Sequence, residues 1–274
     1  MENILLRETA ETLYGAFGQD LEQITVERAV FGLFFSGVKL STGHAGLCYT
    51  PVKELPEAVC CPSSARAMPL SGRLRGRTAL EYLNYVLDEN VLKRTLGIAA
   101  MNALSSLYWD LLPGEAPDFH YGVNAFDAAD PRNYRKTVVV GALVPMLKRL
   151  LAAEADFTVL EMDPRTLKGR ELDHYLPADR AADCVPDADL LVITGVTVLN
   201  GTLPGLLELA KPGAEILVTG PTASTLPEAF FRRGVTTLGG IRVTKADEAL
   251  DLLCEGGSGY HLFGRSAEQT VLRA

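Results

Sequence analysis

The sequence predicts an α/β protein built of two units in series. A small α+β domain occupies residues 1–112, residues 113–133 form a linker, and a Rossmann-like, doubly wound parallel sheet occupies residues 134–274. Three observations predict this. From Thr137 onward short apolar runs alternate with helical periodicity, the pattern of a parallel sheet covered on both faces. Before Leu112 the order is helix, strands, then helices. Between the two lies a stretch holding Pro113, Gly114, Pro117, Gly122 and Pro131 among acidic residues, which neither period fits. The length of 274 residues is enough for two cores.

In the first unit, Leu5, Leu6, Leu13, Ala16 and Phe17 recur at helical spacing behind Asn3, a good N-cap. Ala29 to Phe35 is short, aromatic and apolar and reads as a strand that turns at Ser36-Gly37. A second strand is expected at Leu47 to Thr50, and Cys60 to Arg77 has loop composition. Thr78 with Glu81 forms a capping box at a helix start. Asp88 to Tyr108 carries an apolar stripe from Leu92 to Leu107. In the second unit the expected strands are Thr137–Val140, Phe157–Glu161, Leu190–Ile193, Glu215–Val218 and a short one at Thr236–Leu238. The helices between them are Val144–Ala153, Leu203–Lys211, Leu226–Arg233 behind a Thr225/Glu228 capping box, and Ala246–Cys254.

Composition narrows the function. With 26 Lys+Arg against 34 Asp+Glu the net charge is −8, which argues against a nucleic-acid partner. The longest nearly apolar run, Ala29 to Val38, is far short of the roughly 20 residues a membrane helix needs. No basic and apolar leader follows Met1, and the five cysteines form an odd, irregular set, so a cytoplasmic location with reduced thiols is expected. Oligomerisation is left open.

A parallel sheet binds ligands beyond the carboxyl ends of its strands. Three loops hold that position: Gly141 to Pro145, Thr194 to Thr202, and Gly220-Pro221 to Ser224. Their glycines let a backbone approach a ligand, and amides at helix starts favour an anion. Glu161 stands 20 residues after Gly141, the spacing of a ribose-binding carboxylate, but the first loop lacks G-x-G-x-x-G. Thr194, Gly195, Thr197 and Asn200 crowd the second loop, where capping is the alternative role. Asn102, inside an apolar helix among Gly97, Ala99, Ala100 and Ala103, bonds either main chain or ligand. His44, His120, His174 and His261 are scattered, and the vicinal pair Cys60-Cys61 cannot complete a metal shell alone.

The stretches Thr194 to Thr202, Gly220-Pro221-Thr222, Gly234-Val235, Gly239-Gly240 and Leu96 to Leu104 resemble the putative heavy-metal chelation family of bacteria and archaea. That resemblance spans nearly the whole chain. It implies an enolase N-terminal-like domain joined to a Rossmann-like domain, a role in metal homeostasis, and a site between the two. It places Asn102, Gly141, Glu161, Thr194, Thr197, Asn200 and Gly220 around that site. Enolase activity is not implied, because that chemistry resides in a barrel domain absent here. The expected ligand is a small polar or anionic molecule in the inter-domain cleft. A heavy metal, a metal chelate or the precursor of a chelator is the expected cofactor or partner. A transferase-like enzyme using a nucleotide-like cofactor is the alternative, and sequestration of metal by Cys60, Cys61 and histidines is a third reading.

Overall fold

The computed structural model describes residues 3–54, 68, 70–112 and 119–274. Helix α1 (Ile4–Phe17) starts as expected, with the Asn3 side chain accepting from the Leu6 amide. A short α2 (Asp20–Gln23) leads into an antiparallel meander of β1 (Val26–Phe31), β2 (Phe35–Leu40) and β3 (Ala45–Tyr49). The single strand expected at Ala29–Phe35 is therefore two strands with the turn at residues 32–34. An unbroken apolar run hides that turn, and Leu33 and Phe34 are exposed at it. Ser36-Gly37 is not a turn. Gly37 pairs with Val30 and Leu47 in the middle of β2, where a Cβ would lie 2.4 Å from the Leu250 side chain. A glycine in a strand here marks close packing rather than a break.

Helix α3 (Ala79–Asn84) opens at Thr78, whose hydroxyl accepts from the Glu81 amide. Helix α4 (Val91–Leu111) begins later than the expected Asp88, behind Asn90, whose carboxamide accepts from the Leu92 and Lys93 amides. It is buried on every side between Leu96 and Leu104, the mark of a helix with protein all round it.

The second half contributes β4 (His120–Tyr121), β5 (Thr137–Val140), α5 (Val144–Ala152), β6 (Phe157–Glu161), β7 (Tyr175–Pro177) and β8 (Leu190–Thr194). After them come α6 (Val196–Asn200), α7 (Leu203–Leu209), β9 (Glu215–Thr219), α8 (Glu228–Phe231), β10 (Thr237–Val243), α9 (Ala246–Cys254), α10 (Gly259–Leu262) and β11 (Ala267–Arg273). They build one eight-stranded sheet in the order β4-β11-β10-β9-β8-β5-β6-β7. The six strands from β7 to β10 are parallel, and β11 and β4 close one edge antiparallel. Numbered along the chain, the parallel strands run 3-2-1-4-5-6, the Rossmann order, with its switch between β5 and β8.

Several boundaries differ from expectation for physical reasons. Thr225 caps no helix. Pro227 forces the preceding residue out of helical geometry, so α8 starts at Glu228, and Thr225 is buried with its hydroxyl 3.2 Å from that of Ser105. Gly239-Gly240 lies inside β10, because a Cβ would meet Ala125 at 2.3 Å or Ser224 at 2.9 Å. The 113–133 stretch, expected as a connection, supplies strand β4, and it buries Ala125, Phe126 and Ala129.

Alternation along the central strands divides the core. Val138, Leu191, Ile193 and Val218 face a cluster continuous with α1, α3 and α4, whereas Val139, Val192 and Leu217 face α5 and residues 125–129. Helix α9 lies on the small sheet, where Leu250 and Leu253 meet Leu47 and Val30. The two halves are thus interleaved.

An ion cluster adds to that seam. Glu8 on α1 accepts from Arg233 at 2.6 and 2.9 Å and from Arg232 at 2.7 Å, and these guanidinium bonds hold its carboxyl down to about 2. A lowered native value stabilises the fold above the ordinary carboxylate range, and that contribution is lost as pH falls from about 4.5 to 2. Glu8→Gln is therefore expected to unfold at lower urea than wild type at pH 6. The difference should shrink steadily as pH falls from about 4.5 toward 2 and fall with added salt.

Candidate functional site

Strands β5 and β8 are neighbours whose chain exits lead to opposite sides of the sheet, which opens a crevice at their carboxyl ends. Gly141 ends β5 with φ +91°, and a Cβ there would stand 2.7 Å from Thr194 Cγ2, so only glycine lets the two exits touch. At the end of β8, the Thr197 hydroxyl donates to the Thr194 carbonyl at 2.7 Å and starts the single turn of α6. Asn200 Oδ1 accepts from the Thr202 amide at 3.1 Å and its hydroxyl at 2.7 Å, and Asn200 Nδ2 donates to no partner among the described residues. At the end of β6, Glu161 accepts from three amides: Ala142 at 2.9 Å, Met162 at 2.8 Å and Asp163 at 3.0 Å. That grip leaves about one of the carboxylate's four lone-pair positions for a ligand.

Above these residues is a cavity of about 540 Å³. Gly141, Glu161, Thr194, Thr197 and Asn200 line it together, and Tyr49, Pro51, Lys53 and Glu54 close it from the first half. The Lys53 ammonium pairs with Asp163 across the opening, and Asp163 also binds Arg165 at 2.8 Å. Those cations hold the Asp163 carboxyl far below the usual carboxylate range. Burial pushes the Tyr49 phenol up, opposed by Lys53 and assisted by Glu54 and Glu161. Sequence reasoning missed Tyr49, Lys53, Glu54 and Asp163. Nothing in their spacing marks them: Tyr49, Lys53 and Glu54 enter the site only because the small sheet docks over the switch point, and Asp163 follows the end of β6.

Four expected site residues do not line this cavity. Asn102, 2% exposed, donates through Nδ2 to the carbonyls of Leu47 at 2.8 Å and of Pro221 and Thr222 at 3.2 Å. The Gly195 amide donates to Thr219 O at 2.7 Å, and Gly220, at φ +127°, donates to Gly239 O at 3.0 Å. The Pro221 carbonyl receives Asn102 and the Ser224 hydroxyl. Together with the Tyr49 amide, which donates to Thr222 Oγ1 at 2.9 Å, the Asn102 bonds fasten the halves together, whereas the Gly195 and Gly220 bonds lie within the large sheet.

The expected anion cradle is also absent from the first loop. The Gly141 amide donates to Leu160 O, Ala142 to Glu161, Leu143 to Gly141 O, Val144 to Ala142 O and Met146 to Leu143 O, while Pro145 has no N–H. No amide remains there for a pyrophosphate.

Direct metal ligation fits poorly. Among the described residues no group of three His, Cys, Asp or Glu side chains could hold an ion. His44 pairs with Asp110 at 2.9 Å, and the His174 ring lies 3.0 Å from the Phe157 carbonyl. Cys48 and Cys184 are buried, and burial pushes both thiols up, away from the thiolate that binds metal. Cys60 and Cys61 lie outside the described residues. The cleft carboxylates Glu161 and Asp163 already hold amides and cations.

Two family models, both described as "Putative heavy-metal chelation", match residues 14–105 and 124–272. The chain belongs to this heavy-metal chelation family. An uncharacterized protein of Methanocaldococcus jannaschii is 31% identical over 196 residues, 70% of each chain. Crystal structures of two family members of unknown function share the fold. One, from Pyrococcus horikoshii, has a TM-score of 0.78 at 21% identity, covering 98% of this chain and 100% of its own. The other, from Desulfitobacterium hafniense, has a TM-score of 0.72 at 21% identity, with 98% of each chain covered. Among the described residues, no helix is long and apolar enough to cross a membrane.

Proposed function

We propose that this member of the heavy-metal chelation family binds a small organic molecule in the cleft at the switch point. Any metal it handles is then held by that molecule rather than by protein side chains. The observation that carries the reading is the cavity of about 540 Å³, which lies within the range of about 300–1,000 Å³ typical of small-molecule sites. It is walled by both halves, and its lining combines polar groups with apolar Val140, Leu160 and Leu206. The donor chemistry supports the second clause: among the described residues neither a thiolate nor an imidazole lines the cleft, and of its three carboxylates Glu161 already holds amides and Asp163 already holds cations.

A thermal-shift screen of nucleotides, pterins, S-adenosylmethionine and organic metal chelates tests this directly. At least one compound is expected to raise the melting temperature of wild type and to lose most of that effect in Asn200→Ala, which removes the Nδ2 donor. Bare metal salts are expected to leave both melting curves alone. If every compound shifts wild type and variant equally, the cleft is not the site.

A further inference from the structure

We infer that the cleft selects a phosphate-free ligand whose hydrogen-bond-donating end, an ammonium or hydroxyl, docks against Glu161 and Glu54. This inference rests on the proposed cleft and names the chemistry it accepts.

Amides come first. In a sheet of this order a phosphate group sits on the free N–H groups of the turn between the first strand and its helix. Here each of those N–H groups is spent within the turn, on the Leu160 carbonyl or on Glu161, and Pro145 removes the one at the helix start. Glu161 therefore does double duty. Its carboxylate occupies the Ala142 amide that a phosphate would need, and it sets a negative charge where that phosphate would lie.

Charge gives the same sign. Among the described lining residues there are three carboxylates, Glu54, Glu161 and Asp163, against one ammonium, Lys53. Lys53 and Arg165 are both engaged by Asp163, so neither is left for an anionic ligand, while Glu54 and Glu161 have no cationic partner among the described residues. An anion entering this cleft would meet two uncompensated negative charges in a partly desolvated space. A cation or a hydroxyl would find acceptors. Asn200, on the same lining, has its Nδ2 available to a carbonyl or ring nitrogen of the ligand.

Four probes on one scaffold test the sign: benzylamine, benzyl alcohol, benzoate and benzyl phosphate, followed by saturation-transfer NMR. Wild type is compared with Ala178→Trp, which fills the cavity wall, after circular dichroism has shown that variant to be folded. Benzylamine and benzyl alcohol are expected to bind wild type and to lose their signal in Ala178→Trp. Glu161→Gln should weaken benzylamine by about tenfold, the loss of a charge-assisted bond. Should that variant unfold, the exposed Glu54→Gln should weaken benzylamine by about threefold in low salt and leave benzyl alcohol unchanged. If benzoate or benzyl phosphate binds in the cleft more tightly than benzylamine, the inference falls and the cleft remains a binding site. If no probe responds to Ala178→Trp while a chelate from the thermal screen does, the inference falls alone. If neither set responds, both readings fall.

Discussion

Replacing Asn102 is expected to loosen the whole molecule while leaving the cleft chemistry intact. Its two Nδ2 hydrogens serve three carbonyls, from β3 and from the 221–222 turn, so one side chain ties the small sheet, the central helix and the large sheet together. Asn102→Ala removes those bonds and leaves buried acceptors with fewer partners. A loss of about 3 kcal/mol is expected from the bonds and the unsatisfied groups together. Trp109, the only tryptophan and nearly buried on the same helix, reports it by fluorescence in urea. Asn102→Asp should cost more at neutral pH, because it removes both donors and sets a charge against three carbonyl oxygens. Burial and those carbonyls raise that carboxyl's pKa in the fold. The neutral acid can donate one bond, so the variant's deficit relative to wild type should shrink as pH falls. An Asn102→Ala midpoint equal to that of wild type would overturn the bridging role. Benzylamine binding well below the melting temperature should be unaffected, in contrast to a ligand-contact residue.

Gly46 gives the other large effect. It lies in β3 where the strand crosses α4, and a Cβ there would stand 2.2 Å from the Ala99 carbonyl oxygen, 2.4 Å from the Ala103 amide nitrogen and 2.8 Å from Asn102 Cβ. Backbone cannot swing aside as a flexible side chain does, so Gly46→Ala must separate strand from helix. The expected cost lies at or beyond the upper end of the usual overpacking penalty of about 1–3 kcal/mol. Two other glycines serve as internal controls. Gly43 has φ +87° with nothing within 4 Å, so its alanine variant should lose only the left-handed backbone cost of about 1 kcal/mol. Gly15, inside α1 with open space around it, should become more stable by about 0.5–1 kcal/mol on change to alanine. Urea midpoints that fail to rank in the order Gly15, Gly43, Gly46 would show that the strand–helix contact is looser than described.

These residues also show where sequence reading succeeds and where it stops. Asn3 and Thr78 act within three residues of themselves, so their capping roles can be read from neighbours along the chain, and the Asn90 cap, equally local, escapes a reading that starts the helix at Asp88. Thr225 with Glu228 has the same local pattern and fails, because Pro227 and the hydroxyl of Ser105, 120 residues away, decide its environment. The strand ends at Gly141, Glu161 and Thr194 were legible as a candidate site because alternation of apolar strands and helices places such ends on one rim. Asn102, Gly195, Gly220 and Pro221 are equally polar or glycine-rich, yet none of them lines the cavity. The Leu47 and Pro221 carbonyls reach Asn102 through docking of the two halves, and the Thr219 and Gly239 carbonyls reach Gly195 and Gly220 through strand pairing.

Periodicity and turn chemistry alone determined the class of each half, the central strands of the parallel sheet and the rim where their carboxyl ends gather, since each depends on contacts repeating every two to four residues. Only the tertiary structure decided that β5 and β8 are neighbours, that Tyr49, Lys53 and Glu54 close the cleft from the far half, and that the loop amides are already spent. Those facts arise from pairings between residues tens to hundreds of positions apart, for which one chain's local pattern holds no record.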